Sequence, residues 1–114
     1  MICLVIVLVT SWFPHDQTQQ AVKVLFEVHQ KFSEETPLDK RINILIDNAI
    51  AVTKEGYKAV NAAEVKEADL VEYLDLANKQ LIMFAEGIEG YKYQIEFLSS
   101  LTEALGWLGL KPPE

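Results

Sequence analysis

The chain has 114 residues, of which 50% are hydrophobic and 24% charged, as is typical of one globular domain and not of a disordered segment. Its formal net charge is −7, and its ten Lys and Arg residues are scattered among more numerous acidic residues. Because nucleic-acid binding usually needs a basic patch, this composition argues against nucleic acid and anionic membranes as partners. Cys3 is the only cysteine, so no intrachain disulfide can form, and we expect a cytoplasmic protein.

An apolar, β-branched run at residues 2–11 opens the chain and predicts a central strand that is covered on both faces. The run has no basic segment before it and is far too short to span a bilayer. We therefore interpret it as a buried strand of a soluble, unprocessed chain and not as a signal peptide. Cys3 lies within this run and is interpreted as a small buried hydrophobic residue.

Two amphipathic helices are predicted, over residues 16–33 and 69–87. Each begins with an aspartate that is followed three residues later by Glu or Gln, which is the spacing of a capping box. A third pair of this kind predicts a short helix near the C-terminus, through about Leu105. The three pairs are Asp16 with Gln19, Asp69 with Glu72, and Ser100 with Glu103.

Three further strands follow from alternation of apolar and polar residues. Isoleucines alternate over residues 41–53, which predicts a long strand with a bulge near residues 47–48. The turn at residues 54–56 joins it to a weaker strand over 57–65, so that the two form a hairpin. After Gly90, residues 91–97 alternate most regularly and predict the last strand.

The order β-α-β-β-α-β, followed by a short C-terminal helix, predicts an α+β fold of the ferredoxin-like type over a single domain, 1–114. In this topology a four-stranded antiparallel sheet carries both helices on one face, and the strand over 41–53 lies at a sheet edge. Because the first strand is apolar on both faces, the open sheet face would expose a large apolar surface. We therefore expect a homo-oligomer, a dimer or higher, that packs through the open sheet face.

By this order of elements the chain resembles the dimeric α/β-barrel superfamily, in which two ferredoxin-like sheets pack face to face. It also resembles small, largely archaeal proteins that start with a strand ending in Thr10-Ser11-Trp12-Phe13-Pro14 and finish with an apolar tail, here residues 103–112. That group has no assigned activity. The resemblance therefore implies the fold and the face-to-face dimer, and it supplies no catalytic residues.

Four residues are candidates for a ligand pocket: Trp12, His15, His29 and Asn48. His15 precedes a helix start, where an imidazole can relay a proton or help to bind an anion; the alternative is an exposed loop histidine. His29 borders the apolar stripe of its helix and faces either a space between helix and sheet or solvent. Asn48 and Asn61 interrupt apolar strand positions, so each needs a hydrogen bond, from a ligand or from a bulge or cross-strand amide pair.

Neither a cofactor motif nor metal-ligand spacing is present, so we expect no bound cofactor or metal. No sequence pattern indicates a catalytic carboxylate pair or a nucleophile elbow. We therefore expect a non-catalytic oligomeric module that binds a small ligand or another protein. The alternative, implied by the resemblance, is a cofactor-less enzyme such as a monooxygenase or isomerase acting on a small organic molecule. A third hypothesis is a structural subunit that docks through Trp107, Leu108 and Leu110.

Overall fold

The computed structural model describes residues 4–34, 36–99 and 109 and shows an α+β fold with the order βαββαβ. Four antiparallel strands form one sheet in the order β2-β3-β1-β4, which confirms the predicted ferredoxin-like topology. The predicted C-terminal helix, its tail residues and Cys3 lie outside the described residues. The elements are β1 (Leu4–Phe13), α1 (Thr18–Lys31), β2 (Asn43–Val52), β3 (Tyr57–Lys66), α2 (Leu70–Gly87) and β4 (Lys92–Leu98).

The central strand β1 pairs with β3 on one side and with β4 on the other, so that Val9 lies opposite both Asn61 and Ile95. Because side chains alternate along a strand, the odd-numbered residues of β1 share one face, which both helices cover. Val7 on this face is fully buried. Burial of one such side chain stabilises the fold by about 1.5–3 kcal/mol.

The core consists of two clusters on the helix-covered face. In the first, Leu81 of α2 packs on the helix-facing residues of β1 and β3. In the second, Val24 and Val28 of α1 pack with Ile88, which follows α2. The buried residues of α1 thus contact the end of α2 and not the edge strand β2, and this arrangement leaves β2 exposed along all ten residues.

Of the three predicted capping boxes, the two within the described residues do not form, although α2 begins and ends where predicted. Before α1 the chain makes a 3-10 turn over His15–Gln17, and the N-cap is Gln17, without a side-chain cap. Asp69 is the N-cap of α2, but it makes no capping hydrogen bond either. Its carboxylate and that of Glu72 accept hydrogen bonds from Arg41, at 3.2 and 3.3 Å. Both carboxylates of this predicted box thus pair with a guanidinium and not with the N–H groups of the helix start.

The predicted bulge in β2 is confirmed. The register with β3 shifts between Ile44 and Ile46 and again between Ile46 and Ala49. Asn48 has a φ of 51°, in the left-handed region that Asn tolerates better than most residues. Its backbone N–H, which the bulge removes from the ladder, donates to Asn61 Oδ1 at 2.8 Å. The bulge thus gives Asn61 Oδ1 its hydrogen bond, whereas the side-chain amide of Asn48 donates to Asp47 Oδ1 at 3.2 Å.

Candidate functional site

A cleft with a volume of about 720 Å³ lies between the helices and the sheet. Its floor is the helix-facing side of β1 and β3, and its walls are α1, α2 and the edge strand β2. The cleft exists because α1 packs toward α2, and because β3 has small side chains on the face that it turns toward the helices. Ala59 and Ala63 occupy these positions of β3, directly opposite Ser11 and Val7 of β1.

Most of the residues that line the cleft are apolar, and a few polar groups are spaced among them. Pockets of roughly 300–1,000 Å³ with this kind of lining are typical of small-molecule sites. The ionisable groups of the described lining, apart from tyrosines, are His29, Asp39 and Asp47, and no Lys or Arg is among them. The electrostatic character of the cleft is therefore neutral to acidic.

The structure places His29 and Asn48 in the lining of this one cleft, at its exposed rim. Trp12 and His15 lie outside the lining. Trp12 has an even position in β1, so its side chain points to the sheet face opposite the helices, where it is 37% exposed. A ligand-binding role for any of the four residues stays a prediction.

His15 fixes the entry to α1 against the turn of the β2–β3 hairpin. Its Nε2–H donates to the carbonyl oxygen of Thr53 at 2.8 Å, and its ring meets the edge of Tyr57 with the centroids 5.4 Å apart. Tyr57 in turn stacks on Phe13 at 5.0 Å, and the hydroxyl of Thr18 lies 3.2 Å from that of Tyr57. Because Tyr57 lines the cleft, His15 lies behind one of the lining rings and not in the lining itself.

Two half-buried phenols, those of Tyr73 and Tyr91, are among the groups that line the cleft. Burial raises the pKa of Tyr73 above its ordinary value. Burial also raises the pKa of Tyr91; the nearby Tyr93 adds to this effect, and a hydrogen bond with Ser11 opposes it. Both phenols therefore remain protonated at physiological pH. The alanines of β3 were not singled out from the sequence, although their small side chains leave the space beside these tyrosines.

Residues 4–34, 36–99 and 109 contain no cluster of three or more His, Cys, Asp or Glu side chains that could hold a metal ion. Within these ranges, neither helix combines the length and apolar character of a membrane-spanning segment. No family model, curated protein or solved structure matches the chain. Function is therefore inferred from the geometry and chemistry of the cleft.

Proposed function

We propose that this protein binds a small, mostly apolar and uncharged organic molecule in the cleft between its helices and its sheet. The observation that carries the proposal is the volume of about 720 Å³ together with the mainly apolar lining. An empty apolar cleft of this size exposes surface to water at a cost of about 25 cal/mol per Å², which an apolar ligand would remove. The protonated Tyr73 and Tyr91 would orient its polar group.

The charges of the lining favour a neutral ligand over an anion of the same shape. A carboxylate in the cleft would lose hydration without gaining a Lys or Arg partner from the described lining, and Asp39 and Asp47 would repel it. Decanol and decanoate are a matched pair of probes for this discrimination. We expect the neutral alcohol to displace a bound dye at a concentration at least about tenfold lower than the carboxylate does, which corresponds to about 1.4 kcal/mol.

The binding test uses the neutral, environment-sensitive dye Nile red and two variants of α2. Ala77 lines the cleft, whereas Ala85 is exposed on the same helix and lies outside the lining. Ala77→Phe fills part of the cleft, and we expect it to raise the dissociation constant at least about tenfold. Ala85→Phe is the matched control and should bind the dye as the wild type does. Equal binding by both variants, with circular dichroism unchanged, would refute the cleft as the site.

We also propose a homo-oligomer, as the resemblance to the dimeric α/β-barrel superfamily implies, with two open sheet faces packed together in the cytoplasm. In support, Leu4 and Trp12 of β1 and Leu98 of β4 occupy even-numbered positions on this face, and each is between 37% and 40% exposed. Exposed apolar residues that cluster indicate an interface. Trp12→Glu should lower the mass of the assembly in light scattering. An unchanged mass would contradict this interface.

Catalysis is the second candidate function, and one observation favours it: His29 and Asn48 line the same apolar cleft. An imidazole can transfer a proton while an amide holds a carbonyl or hydroxyl oxygen, as cofactor-less monooxygenase- or isomerase-type chemistry on a small organic molecule requires. Turnover on a substrate panel that is lost in His29→Gln but retained in His15→Gln would establish it. If the wild type binds ligands but turns over no substrate of the panel, ligand binding without catalysis is the function.

A further inference from the structure

The exposed large apolar residues of the described chain concentrate on β2 and on one stripe of α1. The stripe follows helical spacing, with neighbours three and four residues apart. Two of its three residues, Val22 and Leu25, line the cleft together with residues of β2. Exposed apolar residues that cluster in this way indicate an interface. The exposed residues are Ile44, Leu45, Ile46, Ile50 and Val52 on β2, and Val22, Leu25 and Phe26 on α1.

We propose that two copies of this chain pair through the free edge of β2, and that each copy closes the cleft mouth of the other. This surface is distinct from the open sheet face, because it combines a strand edge with the exposed stripe of α1. Pairing through this surface would also complete the cleft, because β2 and α1 are two of its walls.

The backbone of β2 offers unpaired hydrogen-bonding groups along this edge. The N–H of Thr53 donates to the carbonyl of Gly56 at 2.7 Å, which places Thr53 in a hydrogen-bonded pair with β3. Because such pairs alternate along an antiparallel ladder, the N–H and C=O groups of Ile50 and Val52 point away from β3. The register is regular from Ala49 to Val52. This half of β2 is therefore a pairing edge, whereas the bulged half is not.

The sequence of β2 lacks the devices that protect edge strands. Natural proteins place Lys, Pro or inward-pointing charges on exposed edges to prevent pairing. Residues 43–52 contain no Lys, Arg or Pro, and Asp47 is their only charged residue. It lies in the bulged half, away from the segment Ala49–Val52. Self-pairing therefore brings few like charges together, although the chain as a whole carries a net charge of −7.

Symmetry explains why the occupant is a second copy of the same chain. A two-fold axis perpendicular to the sheet makes β2 antiparallel to its copy and keeps the helices of both copies on the same face. The exposed stripes of the two α1 helices then face each other across the joined strands. Each stripe finds an apolar partner of the same kind, and the two cleft mouths are covered together.

The test compares two valines with similar exposure. Val52 on β2 is 72% exposed and lies outside the cleft lining, and Val71 on α2 is 81% exposed. We expect Val52→Lys to halve the number of subunits seen by native mass spectrometry and light scattering, because a lysine on each edge opposes pairing. Val71→Lys is the matched control and should keep the wild-type mass. The result is independent of whether the open sheet faces also associate.

A backbone variant separates edge pairing from general apolar association. Val52→Pro removes an N–H that points to solvent within one copy, a position at which edge strands accept proline. It should also halve the number of subunits while its circular dichroism spectrum stays near that of Val52→Ala. The proposal would be overturned if the wild type were a monomer, or if both Val52 variants kept the wild-type number of subunits. It would also be overturned if Val71→Lys halved the number of subunits. Because no ligand is used, failure here leaves the proposed ligand binding intact.

Discussion

Gly87, the last residue of α2, sets how closely the two helices approach each other. A Cβ atom built on Gly87 would lie 2.5 Å from Cγ2 of Val24, whereas ordinary contact is 3.4–4 Å. Val24 is 2% exposed and packs with Val28 and Ile88. A β-branched side chain has few other rotamers, so Val24 has little room to move. Gly87→Ala must therefore separate the helices or distort the second core cluster.

The expected cost follows from two opposing effects. Overpacking of a filled core typically costs about 1–3 kcal/mol. Alanine is favoured over glycine by about 1 kcal/mol inside a helix, and by less at its last residue. We therefore expect Gly87→Ala to lower the free energy of unfolding by about 1–2 kcal/mol. Val24→Ala alone should lower it by about 1.5–3 kcal/mol through loss of the buried methyl groups.

Urea unfolding followed by circular dichroism, at one fixed protein concentration, measures these effects in a double-mutant cycle. Once Val24 is replaced by alanine, the clash is gone, and Gly87→Ala should be neutral or slightly stabilising. The coupling energy between the two substitutions should then be about 1–2 kcal/mol. A coupling energy indistinguishable from zero, or stabilisation by Gly87→Ala alone, would refute the close helix approach at this site.

Three further predictions concern pH, a turn and an ion pair. Burial raises the pKa of Tyr73 and Tyr91 above 10.0, so the unfolded chain loses these protons at a lower pH than the folded chain does. The contribution of the two protonated phenols to the free energy of unfolding is therefore complete below about pH 10, and it falls as pH rises through the folded-state pKa values. Urea unfolding of Tyr91→Phe should show a smaller alkaline loss than the wild type; an identical loss would contradict this. Gly56→Ala places a Cβ 2.4 Å from the backbone oxygen of Phe13 at a φ of +150° and should cost about 2 kcal/mol or more in urea unfolding; a loss below about 0.5 kcal/mol would argue against this approach. Arg41→Ala breaks two ion pairs that share a guanidinium exposed to 40%. It should cost less than about 1 kcal/mol, and still less in 1 M salt; a larger, salt-independent loss would show that the pairs are shielded from solvent.

Local patterns in the sequence determined the order and type of the elements. The alternation of Ile44, Ile46 and Ile50 predicted a strand, and the interruption at Asn48 predicted its bulge, because side-chain direction has a fixed period in a strand. Gly87 marked the end of α2 for an equally local reason. No local pattern predicts that Arg41, distant in sequence, binds the carboxylates of Asp69 and Glu72 at the start of α2, or that a 3-10 turn over His15–Gln17 precedes α1.

The candidate site was predicted only in part. His29 and Asn48 were named as candidates from breaks in apolar patterns, but whether they share one pocket depends on strand register and on helix placement. The structure brings these two to one cleft. It places His15 behind Tyr57, in a hydrogen bond with Thr53. No local pattern predicts such a bond, because the two residues are 38 positions apart.

The sequence by itself thus determined the ferredoxin-like order of elements, the edge position of β2 and the acidic, apolar character of the chain. Only the tertiary structure decided that α1 packs toward α2 and leaves β2 uncovered. The physical reason is that an amphipathic helix specifies which face it buries but not the surface that it meets. At α1 the missing side chain of Gly87 admits Val24, and the space left beside β2 becomes the cleft.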